Sequence, residues 1–156
     1  NFTTKFMTLL NLMPFFPLYY NGQTKFAPIH VTDMAEIIFQ IVNKKINSEI
    51  IECVGPNILT FKEIIEKLLK SIDKKRLLLP IPLSFARLAA YSFEILMRNP
   101  LMTNDQLKLL RYDNIPSGLF KVNENFNFIA EKRFDVEIEK YSYMWKETGE
   151  YAKKKP

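Results

Sequence analysis

The sequence predicts an α/β fold, and three observations support that class. Residues 26–31 and 50–54 have the apolar pattern of short strands, and an amphipathic helix follows each of them. Helices dominate after residue 72, and with 156 residues, 47% of them hydrophobic, the chain can bury one domain's core. Two short strands do not make a stable sheet. We therefore expect further strands upstream and interpret the sequence as part of a longer protein.

The first two helices are predicted from apolar spacing and from their end signals. Apolar residues recur at helical intervals over residues 2–13, and Pro14 ends that helix because proline cannot continue one. After the first strand, Thr32 or Asp33 can cap the second helix, and we interpret Asp33 as a structural cap. We expect the apolar stripe of this helix to face the core; it consists of Met34, Ile37, Ile38, Ile41 and Val42.

The third helix has the clearest start signal. Gly55 lies in a predicted turn after the second strand, and Thr60 then begins the helix with Glu63 three residues on, the spacing of a capping box. Its apolar stripe consists of Phe61, Ile64, Ile65, Leu68, Leu69 and Ile72. Gly55 and Thr60 are therefore predicted to be structural, as a turn residue and as a cap.

The second half of the chain is predicted to be mainly helical. Prolines fix residues 77–82 as an extended segment. Ser84 and Thr103 are at positions typical of helix starts, and a last helix is predicted over residues 134–151.

Composition argues against several functional classes. The net charge is +5, but lysine alternates with glutamate on helix faces, and the unbroken basic runs at 74–76 and 153–155 contain no aromatic residues. We therefore expect no nucleic-acid partner. Cys53 is the only cysteine, so it forms no internal disulfide, and the single histidine has no second histidine or cysteine near it, so no metal site is predicted. The four glycines lie in separate segments, so no phosphate-binding glycine-rich turn is predicted.

The stretch Pro28-Ile-His-Val-Thr-Asp-Met-Ala35 resembles the extended short-chain dehydrogenase/reductases, whose late strand commonly reads Tyr-Ile-His-Val-x-Asp-x-Ala. Other segments are similar, in consistent order, to one atypical branch of this NAD-dependent epimerase/dehydratase superfamily. That branch includes proteins similar to the nucleotide-binding accessory subunit of respiratory complex I, NADH:ubiquinone oxidoreductase. The matching segments are residues 53–61, 77–82, 101–106 and 109–114.

The resemblance implies a Rossmann-type fold whose N-terminal nucleotide-binding half, holding NADP or NAD, is missing here. Residues 1–118 would be the C-terminal, substrate-side portion, and residues 119–156 a helical C-terminal extension. Neither catalytic nor cofactor-binding residues are expected within this chain.

The topology that the resemblance implies also suggests where a substrate would bind. In open α/β sheets, ligands lie beyond the carboxyl ends of the strands, so Lys25, His30 and the region of Asn1 are the candidates for a substrate cleft. Nucleotide-sugar epimerases of the broader family have a phosphate-binding arginine just before the His-Val strand. Here Phe26 and Ala27 occupy that place, which disfavours a nucleotide-sugar substrate.

Three functions remain open. The resemblance favours a non-catalytic accessory or assembly factor of complex I or of quinone metabolism. Its partners would be the missing domain and either complex I subunits or a membrane surface. The alternatives are an active NAD(P)-dependent reductase or epimerase, and a cofactor-free helical interaction module. A single cysteine fits a reducing compartment, so we expect the cytoplasm or the mitochondrial matrix, with a peripheral position at the inner membrane as one alternative.

Overall fold

A computed structural model of the chain describes residues 2–82, 108–147 and 149–150. Within these ranges the α-helices are α1 (Phe2–Leu12), α2 (Val31–Asn43), α3 (Phe61–Ser71) and α4 (Phe134–Ser142). The strands are β1 (Phe15–Leu18), β2 (Lys25–Phe26), β3 (Ile51–Glu52), β4 (Leu59–Thr60), β5 (Leu77–Pro80) and β6 (Lys121–Val122). Short 3₁₀ turns cover Asn123–Phe126 and Tyr143–Trp145, and a tight turn covers Tyr19–Gly22, where Tyr20 and Asn21 have positive φ. The described residues form a mixed α/β structure, so the predicted class is confirmed at that level.

In the described ranges the strands form three separate pairs. β1 and β5 are parallel, β2 and β4 antiparallel, and β3 and β6 parallel. The β1–β5 pair is the longest, with Phe15 opposite Leu77 and Leu18 opposite Pro80. Parallel neighbours need a long crossover connection, and here the chain passes through α2 and α3 between the two strands.

The strand predicted over residues 26–31 is much shorter in the structure. Pro28 has no backbone N–H, so it cannot donate to a neighbouring strand. Ala27 makes the last strand-like hydrogen bond, from its N–H to the Asn114 carbonyl at 3.0 Å. Residues 28–30 then lie outside any strand and lead directly into α2.

The cap of α2 is His30, which corrects the prediction of Thr32 or Asp33. His30 Nδ1 accepts a hydrogen bond from the Thr32 N–H at 3.3 Å, so the helix begins earlier than predicted, at Val31. Asp33 lies inside the first turn, where its negative charge still favours the helix N-terminus. Its Oδ2 accepts the backbone N–H of Lys132 at 2.9 Å and links α2 to the segment that precedes α4.

The predicted start and buried face of α3 are both confirmed. Thr60 Oγ1 accepts the Glu63 N–H at 3.2 Å, and Glu63 Oε2 accepts the Thr60 N–H at 2.7 Å, which completes the capping box. Every residue of the predicted apolar stripe is buried: Phe61, Ile64, Ile65, Leu68, Leu69 and Ile72. α3 is therefore the helix around which the core is built.

The core forms where α1 and α4 pack against α3. α1 confirms the first predicted helix and contributes Met7 and Leu10, which are fully buried. The other end of the chain contributes Ile138 of α4 and Trp145, whose Nε1 donates to Thr8 Oγ1 of α1 at 3.0 Å. The segment from β6 onwards thus shares this core with the preceding elements.

The remaining predictions concern the second half of the chain. The last helix is shorter than the predicted 134–151, because α4 ends at Ser142 and a 3₁₀ turn follows. The predicted helix starts at Ser84 and Thr103 lie outside the described residues, as does Asn1. Of the helices in the described ranges, none combines the length and the apolar character that crossing a membrane requires.

Candidate functional site

A cleft of about 420 Å³ lies between the N-terminal end of α1, the loop that leads into α2, and α4. The loop contributes residues 28–31, and α1 contributes Phe2. The polar side chains that line the cleft are Thr3, His30, Lys132, Glu137 and Tyr141. These residues are far apart in sequence, so the tertiary structure rather than any local motif assembles the cleft.

Gly55 holds the loop of the cleft in place by allowing a close backbone approach. A Cβ at this position would lie only 1.8 Å from the Pro28 carbonyl oxygen. The Gly55 N–H is directed at the Ala27 carbonyl at 3.4 Å. Only glycine permits this approach, so its role is wider than the turn residue that the sequence predicts.

His30 presents one ring nitrogen to the protein and the other to the cleft. Nδ1 accepts the Thr32 N–H and lies 2.8 Å from Thr32 Oγ1. Since Nδ1 is an acceptor, this hydrogen-bond pattern assigns the proton of the neutral ring to Nε2. Nε2 is 3.7 Å from Glu137 Oε2, which is too long for a hydrogen bond. His30 therefore offers an N–H donor to a ligand in the cleft.

Glu137 faces His30 from α4 and is held by a second partner. Its Oε1 accepts a hydrogen bond from Lys140 Nζ at 2.6 Å, one turn along the same helix. That hydrogen bond is the main cause that lowers the pKa of Glu137, and the positive charges of Lys140 and Lys132, and of His30 when its ring is protonated, also lower it. Glu137 is consequently a carboxylate near neutral pH, and its Oε2 is an acceptor on the cleft side.

Tyr141 lies one helical turn after Glu137 and connects α4 to α1. Its hydroxyl oxygen is 2.8 Å from Thr3 Oγ1, and either atom can donate in this bond. Thr3 is buried, with 4% of its surface exposed, so this contact fixes the relative position of the two helices. The tyrosine hydroxyl retains hydrogen-bonding capacity for a ligand beside that contact.

The cleft combines these polar groups with apolar walls. His30 supplies a donor and Glu137 an acceptor, while Phe2, Ile29 and Phe134 supply apolar surface. Such a cleft suits a small molecule with an apolar body and one or two polar groups. In the part of the chain that the structure describes, no group of three His, Cys, Asp or Glu residues could hold a metal ion.

The predicted cleft residues have different outcomes in the structure. His30 lines the cleft beside Phe2, the neighbour in sequence of Asn1, which is itself outside the described residues. Lys25 does not line it; this residue lies in β2, where its N–H donates to Asp113 Oδ1 at 2.8 Å.

Sequence reasoning missed Glu137 and Tyr141. They come from the segment that the sequence interpretation treats as an extension, so nothing connected them with His30. Their spacing of four residues on a predicted helix was the available signal, because it places both side chains on one helix face.

No protein-family model matches this chain, and no curated protein matches it. Its function is therefore inferred from the cleft and from the fold around it.

Proposed function

We propose that this chain is the substrate-side lobe of an NAD(P)-binding protein resembling short-chain dehydrogenase/reductases. In that protein it serves binding or assembly, as an accessory factor of respiratory complex I or of quinone metabolism. The observation that carries the proposal is the cleft at His30, where the N-terminal end of α1 meets the loop before α2. A nucleotide-binding domain joined upstream of α1 would connect to the chain at the edge of this cleft.

The sheet edges support the presence of such a domain. Within the described residues, β1 and β5 pair only with each other, and β3 and β6 likewise. Parallel strands occur almost only in larger sheets whose faces are covered, and two strands alone are marginally stable. Additional strands from an upstream domain would satisfy these edges.

The surface of α2 gives separate support. Its exposed apolar side chains include Ile38, Phe39 and Val42, which are 53%, 60% and 68% exposed. Contiguous apolar surface on a helix commonly marks an interaction site. A covering domain or protein subunit would remove this surface from water.

The contacts inside the cleft favour binding over turnover. His30 Nδ1 is used to cap α2, and the Tyr141 hydroxyl is bonded to Thr3. His30 Nε2 and Glu137 are too far apart to act as a hydrogen-bonded base and its orienting partner. These groups recognise a ligand well, but none of them forms an activated nucleophile with its neighbour.

The decisive experiment uses the full-length natural protein. We expect NADPH or NADH to bind in calorimetry, without sustained oxidation in the presence of quinones, ketones or sugar nucleotides. The 156-residue chain by itself should not bind either cofactor, because its glycines do not form a phosphate-binding turn.

Two results would overturn the proposal. If the full-length protein binds neither cofactor, this chain is not the lobe of an NAD(P)-binding protein. If the protein turns over and His30→Ala abolishes turnover, while the matched surface variant Glu36→Ala keeps it, the protein is an enzyme.

An active reductase or epimerase is the second candidate, and one observation favours it. His30 and Glu137 line one cleft, and Nε2 and Oε2 lie 3.7 Å apart, a separation that a small shift would shorten. Catalytic hydrogen bonds are often long before substrate binds. For this candidate, Glu137→Gln should reduce turnover as strongly as His30→Ala does.

A further inference from the structure

A second cavity, of about 360 Å³, shares the wall residues Phe2 and Pro28 with the cleft at His30. We call it the aromatic cavity, after its four phenylalanines Phe2, Phe6, Phe26 and Phe61. Its volume is in the range of small-molecule sites, and most of its lining is apolar. Binding in this cavity requires no cofactor, so a ligand site here is independent of the function proposed above.

The walls of the aromatic cavity are preformed by ring contacts. The ring centroids of Phe2 and Phe6 are 5.9 Å apart, those of Phe6 and Phe61 5.6 Å, and those of Phe26 and Phe61 6.4 Å. The first two pairs meet edge to face, which is a favourable arrangement for aromatic side chains. An apolar ligand would therefore enter a shaped site without ordering its walls first.

Burial changes along the cavity. Phe61 and Ile64 of α3 are only 3% and 1% exposed, so they form its dry inner end. Phe2 and Leu109 are 48% and 71% exposed, so they lie at its mouth. This gradient suits a ligand with an apolar tail inside and a polar end in contact with water.

Among the described residues that line the aromatic cavity, the charge is positive. Lys5 lies on the same face of α1 as Phe2, Phe6 and Leu9, and all four side chains line the cavity. No acidic residue is among the described lining residues, and among the residues that the structure describes Lys5 has no hydrogen-bond or ion-pair partner. Asn114 also lines the cavity.

From these features we propose that the aromatic cavity binds a single-chain carboxylate amphiphile, of the medium-chain fatty-acid class. The alkyl tail lies against Phe61 and Ile64, and the carboxylate meets the Lys5 ammonium at the mouth. One ammonium matches one singly charged head group. A sugar or a nucleotide would leave its hydroxyls or phosphates without partners against the phenylalanine walls.

The proposed place of the alkyl tail can be tested by calorimetry. The 156-residue chain is titrated with hexanoate, octanoate and decanoate, each below its critical micelle concentration. Affinity should rise about fourfold per added methylene until the cavity is full, as expected for burial of alkyl groups. Loss of this chain-length dependence would contradict the proposal. Ala27→Leu narrows the cavity, and decanoate affinity that is unchanged in a folded Ala27→Leu protein would place the tail elsewhere.

A charge variant tests the head group. Lys5 is exposed, so Lys5→Gln leaves the fold intact. The variant should bind decanoate about three- to tenfold more weakly than the unchanged protein does, because a charged hydrogen bond is lost. Its affinity for decanoate should then equal the affinity of the unchanged protein for decanol. Lys70→Gln, on the exposed surface of α3 outside this cavity, is the matched control and should bind like the unchanged protein. Equal affinity for decanoate and decanol in the unchanged protein would overturn the role of Lys5.

Discussion

The helices α2 and α3 have similar apolar periodicity but different surroundings. All six residues of the α3 stripe are buried, whereas of the five expected to face inward on α2 only Ile37 is. α3 packs against α1, α4 and the tight turn at Tyr19–Gly22. α2 is joined to the segment before α4 by the hydrogen bond from the Lys132 N–H to Asp33. An amphipathic pattern thus identifies which face of a helix avoids water, but the tertiary structure decides whether that face is covered.

The largest expected difference between the two helices concerns truncation of a buried residue. Ile65 of α3 is fully buried, so Ile65→Ala should lower the unfolding free energy by about 3 kcal/mol through lost burial and the cavity left behind. The matched variant Ile38→Ala on the exposed face of α2 should change it by less than about 0.5 kcal/mol. Urea unfolding of both variants measures the difference.

The same pair of variants also tests whether the exposed face of α2 is covered in a longer protein. If an upstream domain covers α2, Ile38→Ala should destabilise the full-length protein more than it does the 156-residue chain. Equal, small effects in both proteins would mean that the exposed face of α2 has no intramolecular cover.

The next largest expected effect concerns the N-terminal cap of α3. Thr60→Ala removes the hydroxyl that accepts the Glu63 N–H, so it should cost about 1 kcal/mol of stability. Thr60→Ser keeps the acceptor and is the control, with a much smaller loss. A thermal unfolding series in which both variants behave alike would show that the capping box contributes little.

Asp33 of α2 should have an effect of similar or smaller size, for a different reason. Asp33→Ala removes the acceptor for the Lys132 N–H and a favourable charge in the first helical turn, a loss of about 1 kcal/mol. Glu36→Ala, farther along α2, should have little effect. Hydrogen exchange at the Lys132 amide gives a direct readout, because exchange should accelerate only in the Asp33 variant.

The smallest expected effect is a pH dependence of the unfolding free energy that arises from Glu63 of α3. Hydrogen bonds from the backbone N–H and the hydroxyl of Thr60 lower the pKa of Glu63. The stabilisation from the ionised group is therefore complete above the unfolded pKa of about 4.3 and is lost as pH falls through the lower folded pKa. Between about pH 5 and 3, the unchanged protein should lose stability more steeply than Glu63→Gln does. Urea unfolding at each pH measures the unfolding free energy. If it falls equally steeply with decreasing pH in the unchanged protein and in Glu63→Gln, Glu63 is not the group responsible.

Local sequence patterns predict the helices, but they do not predict contacts between segments that are far apart in the sequence. The start of α3 is encoded within four residues, from Thr60 to Glu63, and its apolar stripe repeats over three turns, so both are predictable. β1 is not predictable from its own residues, because its partner β5 lies far downstream and Pro17 interrupts the strand pattern. β2 ends at Phe26, well before the end of the predicted strand, because Pro28 has no N–H to donate to a neighbouring strand.

The same limit applies to the candidate site. The His-Val segment directs attention to His30, which lines the cleft. No local pattern links Glu137 and Tyr141 to this segment, since they meet His30 only after α4 packs beside α1 and α3. The close approach of Gly55 to Pro28 is likewise a property of two backbones that no single-segment pattern contains.

The hydrogen bond from Trp145 to Thr8 lets intrinsic tryptophan fluorescence report on one contact of this protein. Trp145 is the only tryptophan in the chain and is 5% exposed, so the emission spectrum reports on a single place, the seam between α1 and the residues after α4. Emission at short wavelength would indicate an indole shielded from water, and a red shift would signal that this seam has opened. Followed during stepwise denaturation beside circular dichroism, the fluorescence distinguishes detachment of the carboxyl-terminal segment from melting of the helices, without any attached label.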